Sequence, residues 1–214
     1  LDWQRGLIRL LPESERLGPV NTALDFAKRA KEDGNIGELG FSVHLSYLIQ
    51  MLPRDQRREL VDFQVELDRQ RESELTSAQL LTRKVGSLWS LPEYERNKAA
   101  QLYDLWPSAT VAWREFATND NADALPALRD AFQICGTPPA ETGITGVTVS
   151  ETRLGDHDMV CAIFERTQGR PLAVIGSRVL NYDDMQILAN DASIPAWMGR
   201  VDPAERAFIR QNLP

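Results

Sequence analysis

Gly155-Asp156-His157-Asp158 places two carboxylates and an imidazole on consecutive residues, with Glu151 and Glu165 on the flanking segments. Such a group could ligate a metal, or pair the histidine with an aspartate for general-base work. On an enzyme reading the catalytic candidates are therefore Asp156, His157, Asp158 and Glu165. Gly and Asp are also what a tight turn needs, because Asp hydrogen-bonds its own backbone there. A metal centre would draw further ligands, and His44 is the only other histidine, so no metal site is expected. His44 lies mid-helix near Ser42 and Tyr47, with Glu38 six positions back and off its face. That spacing builds no local nucleophile–base pair, and His44 reads as a packing or interface residue.

Aromatics form a second feature. Trp89, Tyr94, Tyr103, Trp106, Trp113 and Phe116 place six rings within 28 residues. Tyr103 with Trp106, and Trp113 with Phe116, are three apart and share a helix face. Core packing explains most of this. The alternative is a binding surface anchored by Tyr103, Trp106 and Trp113, since such side chains dominate interface energetics. Arg114, with Arg96 and Lys98, would then steer an acidic ligand.

Other chemistries find no support. The chain lacks G-x-G-x-x-G, G-x-x-x-x-G-K-[ST], G-x-S-x-G and H-E-x-x-H, so no cofactor is expected. Cys135 and Cys161 fit neither a CxxC pair nor a zinc cluster and read as two buried thiols, with one disulfide in an exported protein as the alternative. The 24 basic and 31 acidic residues leave a net charge of -7, a poor footing for neutralising phosphates, so nucleic acid is not an expected partner. Only four of the basic residues are lysines. Codon preference accounts for that; the alternative is selection of the guanidinium fork for bidentate contacts.

The elements that must position these groups divide near Gly136. Before it, apolar residues recur at helical spacing. A helix stopped by Pro12 is followed by one opened at Gly18-Pro19, with Phe26, Ala27 and Ala30 on one face. A third over 36–52 turns Leu39, Val43, Leu48 and Leu52 inward, and a charged fourth begins at Pro53 and breaks near 72–74. Thr76 with Gln79, and Ser90 with Glu93, fit capping boxes. Ser90 is expected to lead a helix to Trp106, ended by Pro107, with a short helix from Ser108. A last one runs from Asp123 to Cys135. No internal repeat is evident.

After Gly136, residues 137–143 with paired prolines read as a linker. Ile144–Leu154, Met159–Arg166 and Leu172–Leu180 read as three strands of an antiparallel meander, the last two covered on both faces. A helix over 183–190 follows, then one led by the box Asp202-Pro203-Ala204-Glu205. The expectation is an α+β protein. A helical region, 1–136, packs on a small three-stranded antiparallel sheet with C-terminal helices, 144–214, as one unit or two docked ones.

With no catalytic constellation and a clustered aromatic set, the expected function is a non-enzymatic protein-binding module: an adaptor, assembly chaperone, regulator or immunity-type inhibitor. The alternative is a hydrolase- or transferase-type enzyme or secreted effector, with its site at the 155–165 hairpin. No stretch is long enough to span a bilayer, so no membrane is expected. The cytoplasm is the expected compartment, with export left open because the chain begins at Leu1 without Met.

Overall fold

The computed structural model describes residues 2–119, 121–154, 157–166, 169–190 and 202–213. Among them the chain is α+β. Eight helices precede the sheet: α1 (Asp2–Leu10), α2 (Leu17–Glu32), α3 (Glu38–Met51), α4 (Arg58–Gln70), α5 (Ser77–Trp89), α6 (Glu93–Leu102), α7 (Leu105–Asn119) and α8 (Leu125–Cys135). Then come β1 (Val147–Leu154), β2 (His157–Arg166), β3 (Gly169–Ile175), β4 (Arg178–Leu180), α9 (Tyr182–Ala189) and α10 (Pro203–Asn212). Two compact units result: Leu1–Leu75 with Gly86–Tyr103, and Thr76–Val85 with Asp104–Pro214. Helices α7 and α8 thus group with the sheet, and the 137–143 segment, which holds a 3-10 turn at Ala140–Thr142, lies inside the second unit.

The first unit contains a repeat that the sequence reading did not see. Leu11-Pro12-Glu13-Ser14-Glu15-Arg16, Leu52-Pro53-Arg54-Asp55-Gln56-Arg57 and Leu91-Pro92-Glu93-Tyr94-Glu95-Arg96 share the pattern L-P-x-x-x-R, 41 and 39 residues apart. The three prolines adopt one conformation, with φ of -53°, -54° and -58° and ψ of 146°, 148° and 147°. Proline supplies no N–H and drives the preceding residue out of the helical region, so each Leu-Pro ends a helix. A helix end leaves carbonyls without intrahelical donors, and the arginine supplies them. Nε of Arg16 donates to the Leu11 carbonyl at 2.9 Å, that of Arg57 to Leu52 at 2.7 Å and that of Arg96 to Leu91 at 3.2 Å.

The other guanidinium nitrogens keep the same register. Nη2 of Arg16 and of Arg57 reach the carbonyls seven residues back, Arg9 at 3.3 Å and Gln50 at 3.4 Å. Arg96 instead lies 4.7 Å over the ring of Trp89, also seven back. Nη1 of Arg16 donates to Met51, one residue before the next Leu-Pro, at 3.3 Å, and Nη1 of Arg57 to Ser90, again one before, at 3.5 Å. Each of these two cations therefore ties its own helix end to the next. Between successive arginines lie two helices, α2 and α3 and then α4 and α5. Self-similarity near 40 residues with two helices per period is the signature of a stacked helical array. The repeat escaped notice because only Leu, Pro and Arg recur.

Several expected boundaries move. The Thr76–Gln79 box forms, with Gln79 N–H on Thr76 Oγ1 at 3.2 Å and Thr76 N–H on Gln79 Oε1 at 3.0 Å. The Ser90–Glu93 box does not: Ser90 Oγ donates back to the Gly86 carbonyl at 3.0 Å, and Pro92 precedes α6. Helix α6 ends at Leu102, because Asp104 takes a left-handed φ of 53°. Pro107 then falls in the first turn of α7, where a missing N–H costs nothing. Phe26 and Val43, expected inward, are exposed, whereas Leu48 and Leu52 are buried.

In the second unit the sheet has four strands, not three, in the order β1-β2-β3-β4, all antiparallel. The expected third strand folds back at Gly176, whose φ of 59° suits glycine. Alternation splits the buried positions between two faces. Cys161, Ile163, Ala173 and Ile175 pack against Met185 and Leu188 of α9 and Phe208 and Ile209 of α10. Phe164, pointing the other way, meets Trp113 and Phe116 of α7 and Phe132 of α8, with ring centroids 6.3 Å away in each case. Helices on both faces account for the uniformly apolar β2 and β3. Glu205, expected to complete the α10 capping box, is 2% exposed and instead receives Nη2 of Arg178 at 2.6 and 2.7 Å. Asp202 still caps, accepting from Ala204 N–H at 2.9 Å.

Candidate functional site

The two ends of the 155–165 hairpin do not converge. His157 opens β2 opposite Leu154, and Asp158, exposed, sits opposite Arg153. Glu165 lies eight residues further along the same strand, about 26 Å away at roughly 3.3 Å per residue. There its N–H donates to the Gly146 carbonyl at 2.7 Å. Gly146 is required at that point, because a Cβ on it would come within 2.8 Å of the Glu165 Cβ. Asp156 and the side chain of His157 lie outside the described residues. Among the described residues no group of three His, Cys, Asp or Glu side chains could hold a metal.

The proposed aromatic surface is distributed rather than assembled. Trp113 is 7% exposed and lies 5.5 Å from Phe116, inside the core of the second unit. Trp106 is half-buried and stacks on Phe132 at 5.9 Å. Arg114 follows Trp113 on α7 and is exposed. Tyr103 belongs to the first unit and is 3% exposed. Its hydroxyl donates to Asp62 Oδ1 at 2.6 Å, while Nε of Arg58 donates to both Asp62 oxygens at 2.9 Å. Nη1 of Arg58 continues to Glu95 at 3.3 Å. Burial, then the Asp62 hydrogen bond, pushes the Tyr103 phenol well above the ordinary tyrosine value. The Asp62 bond first, against some desolvation, holds the Arg58 guanidinium above its ordinary value. This network pins α4 to α6.

One arrangement escaped the sequence reading. Lys84 and Ser108 are both buried, and Lys84 Nζ donates to Ser108 Oγ at 2.7 Å. That is nucleophile–base distance, but neither residue lines either cleft described below. Lys84 also donates to the Asp104 carbonyl at 3.4 Å. The pair therefore clamps the left-handed turn that starts α7. Lys84 sits three residues after Leu81 and four before Leu88, on the apolar stripe of α5, which was the available signal.

Each unit holds one described cleft. That of the first, about 140 Å³, is lined among others by Lys31, Phe41, Ser42, Asp68, Arg71 and Glu74. Arg71 Nε donates to Glu74 at 3.0 Å, and Gln64, 7% exposed, donates to Ser42 at 3.2 Å and Asp68 at 3.4 Å. Its charges are balanced two against two. That of the second unit, about 290 Å³, gathers Arg166, Arg170, Asn181, Tyr182 and Asp183. No family model matches the chain, and no curated protein or solved structure matches it either.

No helix among the described residues is long and apolar enough to cross a membrane.

Proposed function

We propose that the chain is a protein-binding module without catalytic activity, acting as an adaptor, assembly chaperone, regulator or inhibitor of a protein partner. The observation that carries this reading is the repeated L-P-x-x-x-R helix end of the first unit, tied by arginine to the next. Arrays of this kind stack like elements side by side and present their outer helix faces as extended binding surfaces. Large apolar side chains stand on those faces. Val43 and Tyr47, one turn apart on α3, are 45% and 40% exposed, and Tyr94 on α6 is 78% exposed. Tyrosine at an exposed helical position is a common hot-spot residue.

The test compares variants of the tagged chain in a co-purification identified by mass spectrometry. A stoichiometric partner should persist with His157→Ala and Asp158→Ala and be lost with Tyr47→Ala or Tyr94→Ala, both surface changes that leave the fold intact. A hydrolase or transferase activity abolished by His157→Ala, with the two tyrosine variants silent, would sink the reading in favour of an enzyme.

A further inference from the structure

Helix α1 opens the array and holds the place that α3 and α5 hold in the next two repeats, each closed by a Leu-Pro. Counted back from that leucine, Leu7 and Leu10 of α1 match Leu48 and Met51 at α3 and Ser87 and Ser90 at α5. Leu48, Met51 and Ser87 are buried and Ser90 is half-buried, whereas Leu7 is 56% and Leu10 81% exposed. We propose that this face of α1 docks a helix end of the same L-P-x-x-x-R kind, carried by a partner protein, whose arginine donates to the Leu10 carbonyl.

The array itself shows what covers such a face. Its α3 counterpart packs against α1, and the Met51 carbonyl accepts Nη1 of Arg16, from the turn that closes α1. One repeat on, the Ser90 carbonyl accepts Nη1 of Arg57 in the same way. The Leu10 carbonyl holds the position of these two acceptors on α1. Docking there continues an interface already made inside the chain, by an apolar helix and an arginine. End repeats of helical arrays ordinarily turn a polar face outward to stay soluble. Leucines at positions 7 and 10 mark this end as one that is covered.

A second copy of the chain is a poorer occupant. Nη1 of Arg16 and of Arg57 are committed to Met51 and Ser90, and Arg96 lies over Trp89. A contact between two copies of α1 would bury leucines but bring no cation to the Leu10 carbonyl. The inference rests on the array and not on the surface at Tyr47 and Tyr94, so either can fail alone.

Fluorescence anisotropy tests it, with a labelled synthetic peptide of residues 2–16 titrated with the full chain. That peptide is the segment which meets α3 inside the array, the helix together with its arginine turn. Binding should be saturable. Arg16→Gln in the peptide should weaken it about tenfold, the worth of one hydrogen bond from a charged donor. Leu10→Asp in the full chain should weaken it at least tenfold, by setting a charge in an apolar contact. Leu10 is exposed, so this variant should keep its urea midpoint. Val111→Asp, which charges an exposed valine on α7, should leave binding unchanged. No saturable binding at millimolar concentration, binding that survives Leu10→Asp, or affinity indifferent to Arg16→Gln in the peptide would each overturn the proposal. So would a dimer of the full chain that Leu10→Asp dissolves in sedimentation, because a second copy would then be the occupant.

Discussion

Arg57 contacts three carbonyls on two helix ends, at 2.7, 3.4 and 3.5 Å, and no other side chain has the donors to reproduce that fork. Burial, together with nearby Arg54, lowers its pKa from the ordinary arginine value, and the guanidinium stays charged. Arg57→Leu should cost about 2–4 kcal/mol in urea unfolding, from bonds to a charged donor at about 1.5–3 kcal/mol each, partly recovered through water. Arg57→Lys should recover less than half of that, because an ammonium cannot span the three acceptors. Tyr103 gives a prediction in pH. Its phenol is raised above the ordinary value, so the folded state holds the proton more tightly than the unfolded chain. Its contribution is complete below about pH 10 and fades as pH rises beyond it. Tyr103→Phe should flatten that alkaline loss and, at pH 7, cost about 1 kcal/mol by removing one donor from Asp62, which keeps those of Arg58. Urea titrations at pH 7 and pH 11 read both effects.

At the scale of elements, Phe164 is the point where β2 meets α7 and α8, with three aromatic neighbours at 6.3 Å. Phe164→Ala should cost about 3–5 kcal/mol by the usual cavity penalty, measured by thermal or urea unfolding. Caps make a sharper comparison. Asn181 Oδ1 accepts from the Asp184 N–H at 2.8 Å, and the Asn181 N–H donates to Asp184 Oδ2 at 3.0 Å. Asn181→Ala should lose about 1 kcal/mol, and Ser90→Ala less than about 0.5 kcal/mol, since Ser90 caps nothing. A near-equal loss at the two positions would mean the assignment is wrong. Sequence patterning placed these elements well where local signals decide them: the stops at Pro12 and Pro53, the Thr76 box and the β hairpins. It failed where distant groups compete. Glu205 left its expected cap because Arg178, 27 residues away, offers a buried ion pair. The third strand broke because one glycine can adopt a positive φ, which alternation of apolar residues does not reveal.

At the scale of the whole chain, the acidic balance excluded partners without selecting one. The clustered aromatics were legible as a cluster, but not as the separate roles they hold: Trp113 in a core, Tyr103 in a polar network, Tyr94 in solvent. Both described clefts draw on residues far apart in sequence, such as Lys31 with Arg71 and Arg166 with Asp183. Spacing along a chain cannot anticipate such neighbours. The repeat was present in the sequence throughout, as three residues in each period, and became visible only through the bonds that those residues make.

The arginine ties also decide where the chain can change length. The segments that join the helices differ in length, spanning 33–37, 71–76 and 103–104, whereas the step from Leu to Arg is five residues each time. The period is thus metered at its turns, like links joined at fixed rivets, and slack is allowed only in between. One residue inserted between Ile36 and Gly37 should cost under about 1 kcal/mol, as loop lengthening does. One inserted after Asp55 should cost as much as losing the Arg57 fork. Unfolding midpoints of the two insertion variants measure the difference, and array length in such a chain would change by whole links.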